Sequence, residues 1–305
     1  MPTRSVTLDG PLDLARTLGP LSRGPGDRTI QLGPGRAVLA LRTPDGDATI
    51  SLVHQDWTVR CEAWGPGAER LLERAPELVG VGTGWHDAMP DGPYPLVREL
   101  ARRFPGLRTV RTGAVLAALV PAVLEQKVTG DSARRAWFGL IRTHGTDAPG
   151  PPDLTARRLR LPPRDETLAA LPYFEYHPFG VERRRADLIR RVSARASWFE
   201  ATVDLPLDEA RRRLTALPGL GPWTAAEVAT RALGDPDAVS VGDFHLKNLV
   251  SWALAGEPRG TDDRMLELLA PYAGHRARVV RLLELSGLRP PRYGPRLSER
   301  RIESS

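Results

Sequence analysis

One aspartate follows a glycine-rich hairpin at a distance that could place both in a single reactive site. Asp243 comes after a short apolar run at 238–241, and a helix is predicted to begin directly behind it. Aspartate is a favoured helix-capping residue, and a carboxylate at a helix N-terminus is stabilised by the helix dipole. Asp243 could therefore be a cap, and it could also stabilise positive charge that develops on a sugar in a transition state.

The hairpin in front of this aspartate is predicted to present bare backbone amides. Apolar spacing predicts helices over 207–217 and 223–233, and Gly219 ends the first of them. Gly221 allows a tight turn, while Pro222 fits the first turn of the second helix, where its missing N–H costs nothing. The N–H groups of Gly219 and Gly221 then form an anion site that suits a DNA phosphate. The alternative is an ordinary helix–helix turn.

Taken together, these segments resemble a known family. LPGLGPWTA at 217–225, followed by VSVGDFHLK at 239–247, resembles the helix–hairpin–helix base-excision DNA glycosylase superfamily. The resemblance implies that Asp243 is the catalytic carboxylate. It also implies that Gly219, Gly221 and Thr224 belong to the DNA-binding hairpin.

The residue before Thr224 bears on the reaction type. Family members that also cut the DNA backbone carry a Schiff-base lysine at this point, whereas this chain has Trp223. Without that amine the hairpin offers no imine nucleophile, so no lyase activity at abasic sites is expected. The chain therefore resembles the monofunctional branch, typified by 3-methyladenine DNA glycosylase II. Trp223, Phe244 and Tyr176 are candidates for the base pocket, and Trp223 could equally be a core aromatic.

A second motif lies upstream, where an apolar helical face ends in a polar break at 126–130. In the family this point enters the minor groove, and Gln126 matches a recurrent glutamine. The next residue can be an apolar wedge in 3-methyladenine enzymes. Lys127 stands there instead, so it could contact a phosphate or remain a solvated surface lysine.

The resemblance also implies a monovalent cation, Na⁺ or K⁺, on the backbone carbonyls of Thr215, Leu217 and Leu220. No other cofactor is expected. The single cysteine, Cys61, excludes internal disulfides and a four-cysteine iron–sulfur cluster, and it is expected to be a core residue.

Composition agrees with a DNA partner. The chain has 305 residues, a net charge of +6 and a pI of about 10.0, which favours a polyanion. No signal peptide or long apolar run is present, so we expect no membrane association and a cytoplasmic, nucleoid-associated monomer bound to double-stranded DNA with damaged bases.

The predicted fold class is α+β, with an antiparallel N-terminal unit at 1–95, a helical glycosylase domain at 96–290 and a flexible polar tail at 291–305. Alternating residues predict strands at 5–8, 29–32, 37–42, 48–53 and 57–64, with TPDG at 43–46 as a hairpin turn. Apolar spacing predicts helices at 12–18, 68–74, 96–103, 111–126, 131–144, 155–159, 165–170, 181–194, 207–217, 223–233, 244–253, 262–269 and 276–284.

The expected activity is hydrolysis of the N-glycosidic bond of alkylated bases, such as 3-methyladenine or 7-methylguanine, that are flipped out of duplex DNA. Glu227 stands where the 3-methyladenine type can present an aromatic, and Val280 and Arg281 stand where another is expected, so another lesion remains an alternative. A catalytically silent DNA-binding protein, with Asp243 only a cap, is a further alternative. A helical protein-interaction module is the third, and it predicts no salt-dependent DNA affinity.

Overall fold

A five-stranded antiparallel sheet opens the chain in this computed structural model, which describes residues 2–82 and 92–291. The strand order is β1-β5-β4-β3-β2, so the first strand pairs with the last. Together with the helices that follow, this sheet confirms the predicted α+β class. The strands are β1 (Thr3–Thr7), β2 (Ile30–Gly33), β3 (Arg36–Thr43), β4 (Gly46–Gln55) and β5 (Thr58–Trp64).

Both faces of the sheet are covered at β3. Successive side chains of a strand point to opposite faces, so neighbouring residues of β3 belong to different cores. Ala37 and Leu39 join the core beneath the N-terminal helices, while Val38 and Ala40 pack against the segment at 148–161. The predicted turn at 43–46 is confirmed, because it connects β3 to β4 with Gly46 at φ +124°. Burial raises the pKa of the Cys61 thiol in β5 to about 12, as befits a core residue.

Helices make up most of the remaining described chain, joined by two short strands, β6 (Thr146–Asp147) and β7 (Arg160–Leu161). The helices are α1 (Leu14–Leu18), α2 (Ala68–Glu73), α3 (Ala75–Leu78), α4 (Pro95–Arg103), α5 (Val115–Glu125), α6 (Gly130–His144), α7 (Asp165–Ala170), α8 (Tyr173–Tyr176), α9 (Arg183–Ser193), α10 (Ala196–Glu200), α11 (Leu207–Leu214), α12 (Pro222–Val228), α13 (Leu246–Ala255), α14 (Asp262–Leu269) and α15 (Arg276–Leu285). None of the helices in the described ranges is long and apolar enough to span a membrane.

Two local predictions were wrong. The segment at 155–159 is irregular and not helical, and Leu159 packs in the small core on the outer face of β3. The second hairpin helix also does not continue as an α-helix to residue 233. It ends at Val228 and continues as a π-helical turn, Ala229–Leu233, which Gly234 closes by donating its N–H to the carbonyl of Ala229.

The helices from α4 onward form two apolar cores. The first core comprises residues of α5, α6, α9 and α12, whereas α4 packs with α13, α14 and α15 in the other. The segment between α12 and α13, which carries Asp243, therefore connects these two cores. The boundaries at 95 and 290 remain predictions, and residues 292–305 of the predicted tail lie outside the described residues.

Charged side chains connect the N-terminal segment after α1 to the helical region. Arg231 donates from Nε to the carbonyl of Pro20 at 2.9 Å. Arg23 forms an ion pair with Glu125 at 2.8 Å, at the end of α5. Both contacts lie close in sequence to the hairpin or to the polar break, so they position the segments from which the candidate site is built.

We expect Arg108→Ala to lower the free energy of unfolding by about 3 kcal/mol, because the buried carbonyl of Gly10 loses its donor and the buried arginine stem loses its packing. The Arg108 guanidinium is fully buried, and it donates to an Asp9 carboxylate oxygen and to the carbonyls of Gly10 and Pro11. Urea denaturation would measure the change. Arg102→Ala, an exposed control, should leave stability nearly unchanged, and equal effects of the two substitutions would contradict the assignment.

Candidate active site

The Asp243 carboxylate is held by both elements that flank it. Oδ1 accepts the backbone N–H groups of His245 at 2.7 Å and Leu246 at 2.8 Å, at the start of α13. Oδ2 accepts the indole N–H of Trp223, on the first turn of α12, at 3.1 Å. The side chain thus accepts the free amides in front of α13, as the predicted cap would, although α13 begins at Leu246, two residues later than predicted. It is half-buried, so it also remains open to solvent on one side.

Trp223 has a role that the sequence did not suggest, because its side chain donates a hydrogen bond to Asp243. Its ring packs against the first helical core, as a core aromatic would, while its Nε1 reaches the carboxylate. Twenty residues separate Trp223 from Asp243, and no local pattern in the sequence signals a hydrogen bond across that distance. Trp223 therefore orients the carboxylate directly.

Phe244 presents an aromatic ring beside the carboxylate. Its side chain is 67% exposed, and its ring meets the His245 ring edge-on with centroids 5.0 Å apart. A ring that is exposed to this extent keeps a free face on which a planar base can stack. The placement of Phe244 is compatible with its predicted role in a base pocket.

The prediction for Tyr176 was wrong. Tyr176 is completely buried in the first helical core, and its hydroxyl donates to the carbonyl of Leu168 at 2.7 Å. A ring enclosed on all sides has no free face for a base. Helical spacing in its short aromatic segment does not reveal which of the rings turns inward, and the structure shows that Tyr176 does.

The hairpin glycines have different backbone conformations. Gly219 has φ +104°, in the region that favours glycine, whereas Gly221 is extended with φ −101° and ψ 177°. A Cβ at Gly221 would meet nothing within 4 Å, so neither the backbone nor a neighbouring residue requires glycine there. Among the residues described, no protein group accepts the N–H of either glycine. Both amides are therefore available to an anion in front of α12.

Gln126 ties the polar break to the hairpin. Its Nε2 donates to the carbonyl of Gly219 at 3.1 Å and to the Thr224 hydroxyl at 3.0 Å. The Thr224 side chain is buried, so it joins the two motifs, and only its backbone N–H is left for the DNA contact that the sequence predicted. Lys127 follows in a left-handed conformation with φ +55° and has an exposed side chain. The tip of the break thus projects next to the hairpin.

The carbonyls of Thr215, Leu217 and Leu220 are the predicted ligands of the monovalent cation that the family implies, and this cation site remains a prediction. Leu217 accepts the N–H of Leu220 at 3.0 Å and keeps one lone pair free, and the other two carbonyls accept no hydrogen bond from any described residue. Neutral oxygens of this kind suit Na⁺ or K⁺. No group of His, Cys, Asp or Glu side chains in the described ranges could hold a metal ion.

A buried ionic network lies one helical turn beyond the Trp223–Asp243 contact. Glu227 accepts the Ser240 hydroxyl at 2.6 Å and pairs with Arg231 at 2.6 Å. Helix α12 therefore bonds the loop before α13 twice, at positions four residues apart on one face. Because Ser240 begins the turn that carries Asp243, the Glu227–Ser240 bond fixes the base of that turn.

Burial and pairing oppose each other within this network. Burial would raise the pKa of the Glu227 carboxyl, but the guanidinium of Arg231, helped by the Ser240 hydroxyl, holds it below its ordinary value. Burial also lowers the pKa of Arg23, together with the nearby charge of Arg231. Glu227 and Arg231 each keep 17% of the side chain exposed, so the ion pair is mostly buried but not fully shielded from solvent.

Known proteins similar in sequence to this chain are named as DNA repair enzymes. One from Mycobacterium tuberculosis, named "Probable bifunctional transcriptional activator/DNA repair enzyme AlkA", is 30% identical over 229 residues, which are 72% of this chain and 42% of that protein. The "DNA-3-methyladenine glycosylase" of Bacillus subtilis is 23% identical over 182 residues, which are 58% of this chain and 59% of that protein. The chain thus spans about half the length of these relatives. No protein-family model matches it.

The fold agrees with these sequence similarities. The "3-methyladenine dna-glycosylase from Archaeoglobus fulgidus" has a TM-score of 0.74 at 17% identity, covering 92% of this chain and 97% of that one. The chain thus has the fold of this glycosylase, and the hairpin and the carboxylate stand at the positions that the sequence resemblance implies. The relatives named AlkA and DNA-3-methyladenine glycosylase confirm the resemblance to this superfamily that was drawn from 217–225 and 239–247.

Substituting Tyr176→Phe should cost about 1–2 kcal/mol in the free energy of unfolding, because the carbonyl of Leu168 is left without its donor in the core. Tyr173→Phe is the matched control, since Tyr173 lies one turn earlier and is only half-buried. Thermal unfolding of both variants is the measurement. If Tyr173→Phe destabilised the protein as much as Tyr176→Phe, the assigned hydrogen bond would not be what stabilises this region.

Proposed function

We propose that this protein is a monofunctional DNA glycosylase that releases alkylated bases, such as 3-methyladenine and 7-methylguanine, after they are flipped out of duplex DNA. One observation carries the proposal. The Asp243 carboxylate is oriented by two backbone amides and by Trp223, beside a hairpin whose glycine amides are free to bind a phosphate.

The chemistry follows from the electron deficiency of an alkylated purine. Its glycosidic bond is already weakened, so the enzyme must mainly extrude the nucleotide and stabilise the charge that grows on the sugar as the bond breaks. Asp243 supplies a fixed negative charge for that state, and it orients or deprotonates the attacking water. Phe244 and the face of Trp223 hold the base, and their π-systems attract a positively charged one.

Absence of lyase activity is part of the proposal. Strand cleavage through an imine needs an amine next to the sugar, and the hairpin carries Trp223 there. The chain has two lysines, Lys127 and Lys247, and Lys247 lies 3.7 Å from Asp262 as an ion pair. The product is therefore expected to be an intact strand with an abasic site.

A second candidate substrate class is favoured by Glu227 and Arg231. Glu227 lies one turn beyond Trp223, where the 3-methyladenine type can have an aromatic, and paired with Arg231 it would give the base pocket a polar wall at that point. Such a wall suits a lesion with hydrogen-bonding groups on its edge, including a deaminated purine. A release assay on hypoxanthine-containing DNA beside methylated DNA would separate the two classes.

The remaining components of the proposal come from the family. Double-stranded DNA with damaged bases is the partner, and a Na⁺ or K⁺ ion on the carbonyls of Thr215, Leu217 and Leu220 adds positive charge near the bound phosphate. The protein would act as a monomer in the cytoplasm, on the nucleoid.

Asp243→Asn should reduce base release from methylated duplex DNA by at least about a hundredfold, because the fixed charge is lost. The helix cap should survive, since asparagine caps about as well as aspartate. Chromatography of released bases is the measurement, with DNA strands analysed before and after alkali. Wild type should give strand breaks only after alkali.

Other outcomes of that experiment have distinct meanings. Equal release by Asp243→Asn and wild type would reduce the role of Asp243 to a cap. No release by either protein, with tight salt-sensitive DNA binding by both, would favour a DNA-structure-binding protein. Strand breaks without alkali would contradict the monofunctional assignment.

Ser240→Ala should slow single-turnover release on the order of tenfold, because small misplacement of a catalytic group is costly. The substitution removes the bond from Ser240 to Glu227 but leaves the Glu227–Arg231 pair intact. Affinity for abasic DNA should not change. Ser251→Ala is the control, since Ser251 is buried in α13 and its hydroxyl has no partner. Equal rates for both variants would argue against a positioning role.

A further inference from the structure

A groove runs from the hairpin along the start of α10, and sequence reasoning did not assign it a function. It has a volume of about 560 Å³ and is lined by Leu217 of the hairpin, by Trp198 and by Arg195. Trp198 is 41% exposed, which is unusual for so large an aromatic side chain. The groove reaches Ala216 and Leu217, which directly precede the hairpin turn that carries the proposed phosphate site, so a strand bound at the hairpin can continue into it.

Arg191 stands at the junction between hairpin and groove. Its guanidinium donates to the carbonyl of Pro218 at 2.9 Å, and it lies 3.7 Å from where a Cβ of Gly219 would be. The positive charge is therefore fixed beside the amide that is proposed to bind a phosphate. A guanidinium fixed in this way can bind a phosphate through two parallel hydrogen bonds.

Trp198, which lines the groove, positions a second arginine beside it. The Arg213 guanidinium lies 4.9 Å from the centroid of the Trp198 ring, and it donates to the carbonyl of the same residue at 3.2 Å. Two contacts to one residue hold this side chain in a defined place, whereas an arginine on an ordinary solvated face would sample many conformations.

The charge around the groove is uncompensated. Arg191, Arg195 and Arg213, with the neighbouring Arg212, form no ion pair with any described carboxylate, although arginines elsewhere commonly do. Arg191 lies in the last turn of α9 and Arg195 lies between α9 and α10, so like charges are close in the chain and repel each other. A polyanion in the groove would remove this repulsion.

We propose that this groove is a second DNA-contact surface, which binds the phosphates of the strand that continues past the hairpin, with Arg191 and Arg213 as the principal contacts. The inference rests on the proposed DNA-binding function and extends it. Trp198 is a positioning residue that acts through Arg213. The occupant is the sugar–phosphate backbone of duplex DNA, so the groove contributes affinity without reading sequence.

Binding to a duplex with a tetrahydrofuran abasic-site analogue, followed by fluorescence anisotropy over a series of NaCl concentrations, tests the proposal. Each neutralised phosphate contributes roughly 0.9 to the slope of log affinity against log salt concentration, so Arg191→Ala and Arg213→Ala should each reduce the slope by about that amount. Affinity should fall by up to about fivefold for each, the scale of an exposed ion pair. Arg36→Ala, on the N-terminal sheet, is the matched control and should change neither quantity.

Two further variants distinguish a positioned contact from a general loss of charge. Arg213→Lys should largely restore the salt slope but not the full affinity, since lysine keeps the charge and loses the planar fork. Trp198→Ala should resemble Arg213→Ala, and the double variant should be no weaker than Arg213→Ala alone. Additive effects of the two substitutions would overturn the role of Trp198.

Base release by the same proteins separates this inference from the proposed function. If wild type releases base and the arginine variants keep wild-type salt slopes, the groove assignment is wrong and the glycosylase assignment stands. If wild type releases no base but the slopes fall as expected, the groove binds DNA and the glycosylase assignment fails. Thermal unfolding of each variant, expected to match wild type because the substituted side chains lie on the surface, confirms that the folds are comparable.

Discussion

The site is organised around the two oxygens of one carboxylate. Oδ1 of Asp243 accepts backbone N–H groups in front of α13, which packs with α4, α14 and α15 in one core. Oδ2 accepts the indole N–H of Trp223 on α12, which belongs to the first helical core. A single side chain thereby connects two packed units at the point where they meet. The hydrogen bonds that stabilise the junction between the two cores also orient the carboxylate proposed for catalysis. A change that breaks these bonds would therefore affect both stability and activity.

Behind this junction, buried charges are tolerated because they are paired. Glu227 and Arg231 would each be costly alone in a desolvated position, and together they also engage Ser240 and the carbonyl of Pro20. The network therefore connects the N-terminal segment, the hairpin helix and the Asp243 turn. An apolar wall in its place could pack equally well, but it would not fix the same polar geometry next to the proposed base pocket.

Local signals in the sequence were enough to predict the secondary structure around the candidate site, whereas the catalytic role of Asp243 is predicted from the family resemblance. The turn at 43–46, the strands and the hairpin depend on turn chemistry and periodicity that operate over a few residues, and Asp243 depends on capping. Contacts between distant segments could not be predicted in this way. The indole bond from Trp223, the burial of Tyr176 and the bridge from Gln126 to the hairpin are set by tertiary packing, for which one sequence gives no pattern.

The π-helical turn Ala229–Leu233 fits one more residue into a turn than an α-helix would. This extra residue sets the direction in which the chain leaves α12 at Gly234, and so where the loop to Asp243 begins. Removing one residue would rotate everything after the turn by about 100° relative to Trp223, because an α-helix has about 3.6 residues per turn. In evolutionary terms, this stretch should accept changes in residue identity far more readily than changes in length, and an alignment gap here would mark a protein whose site is built differently.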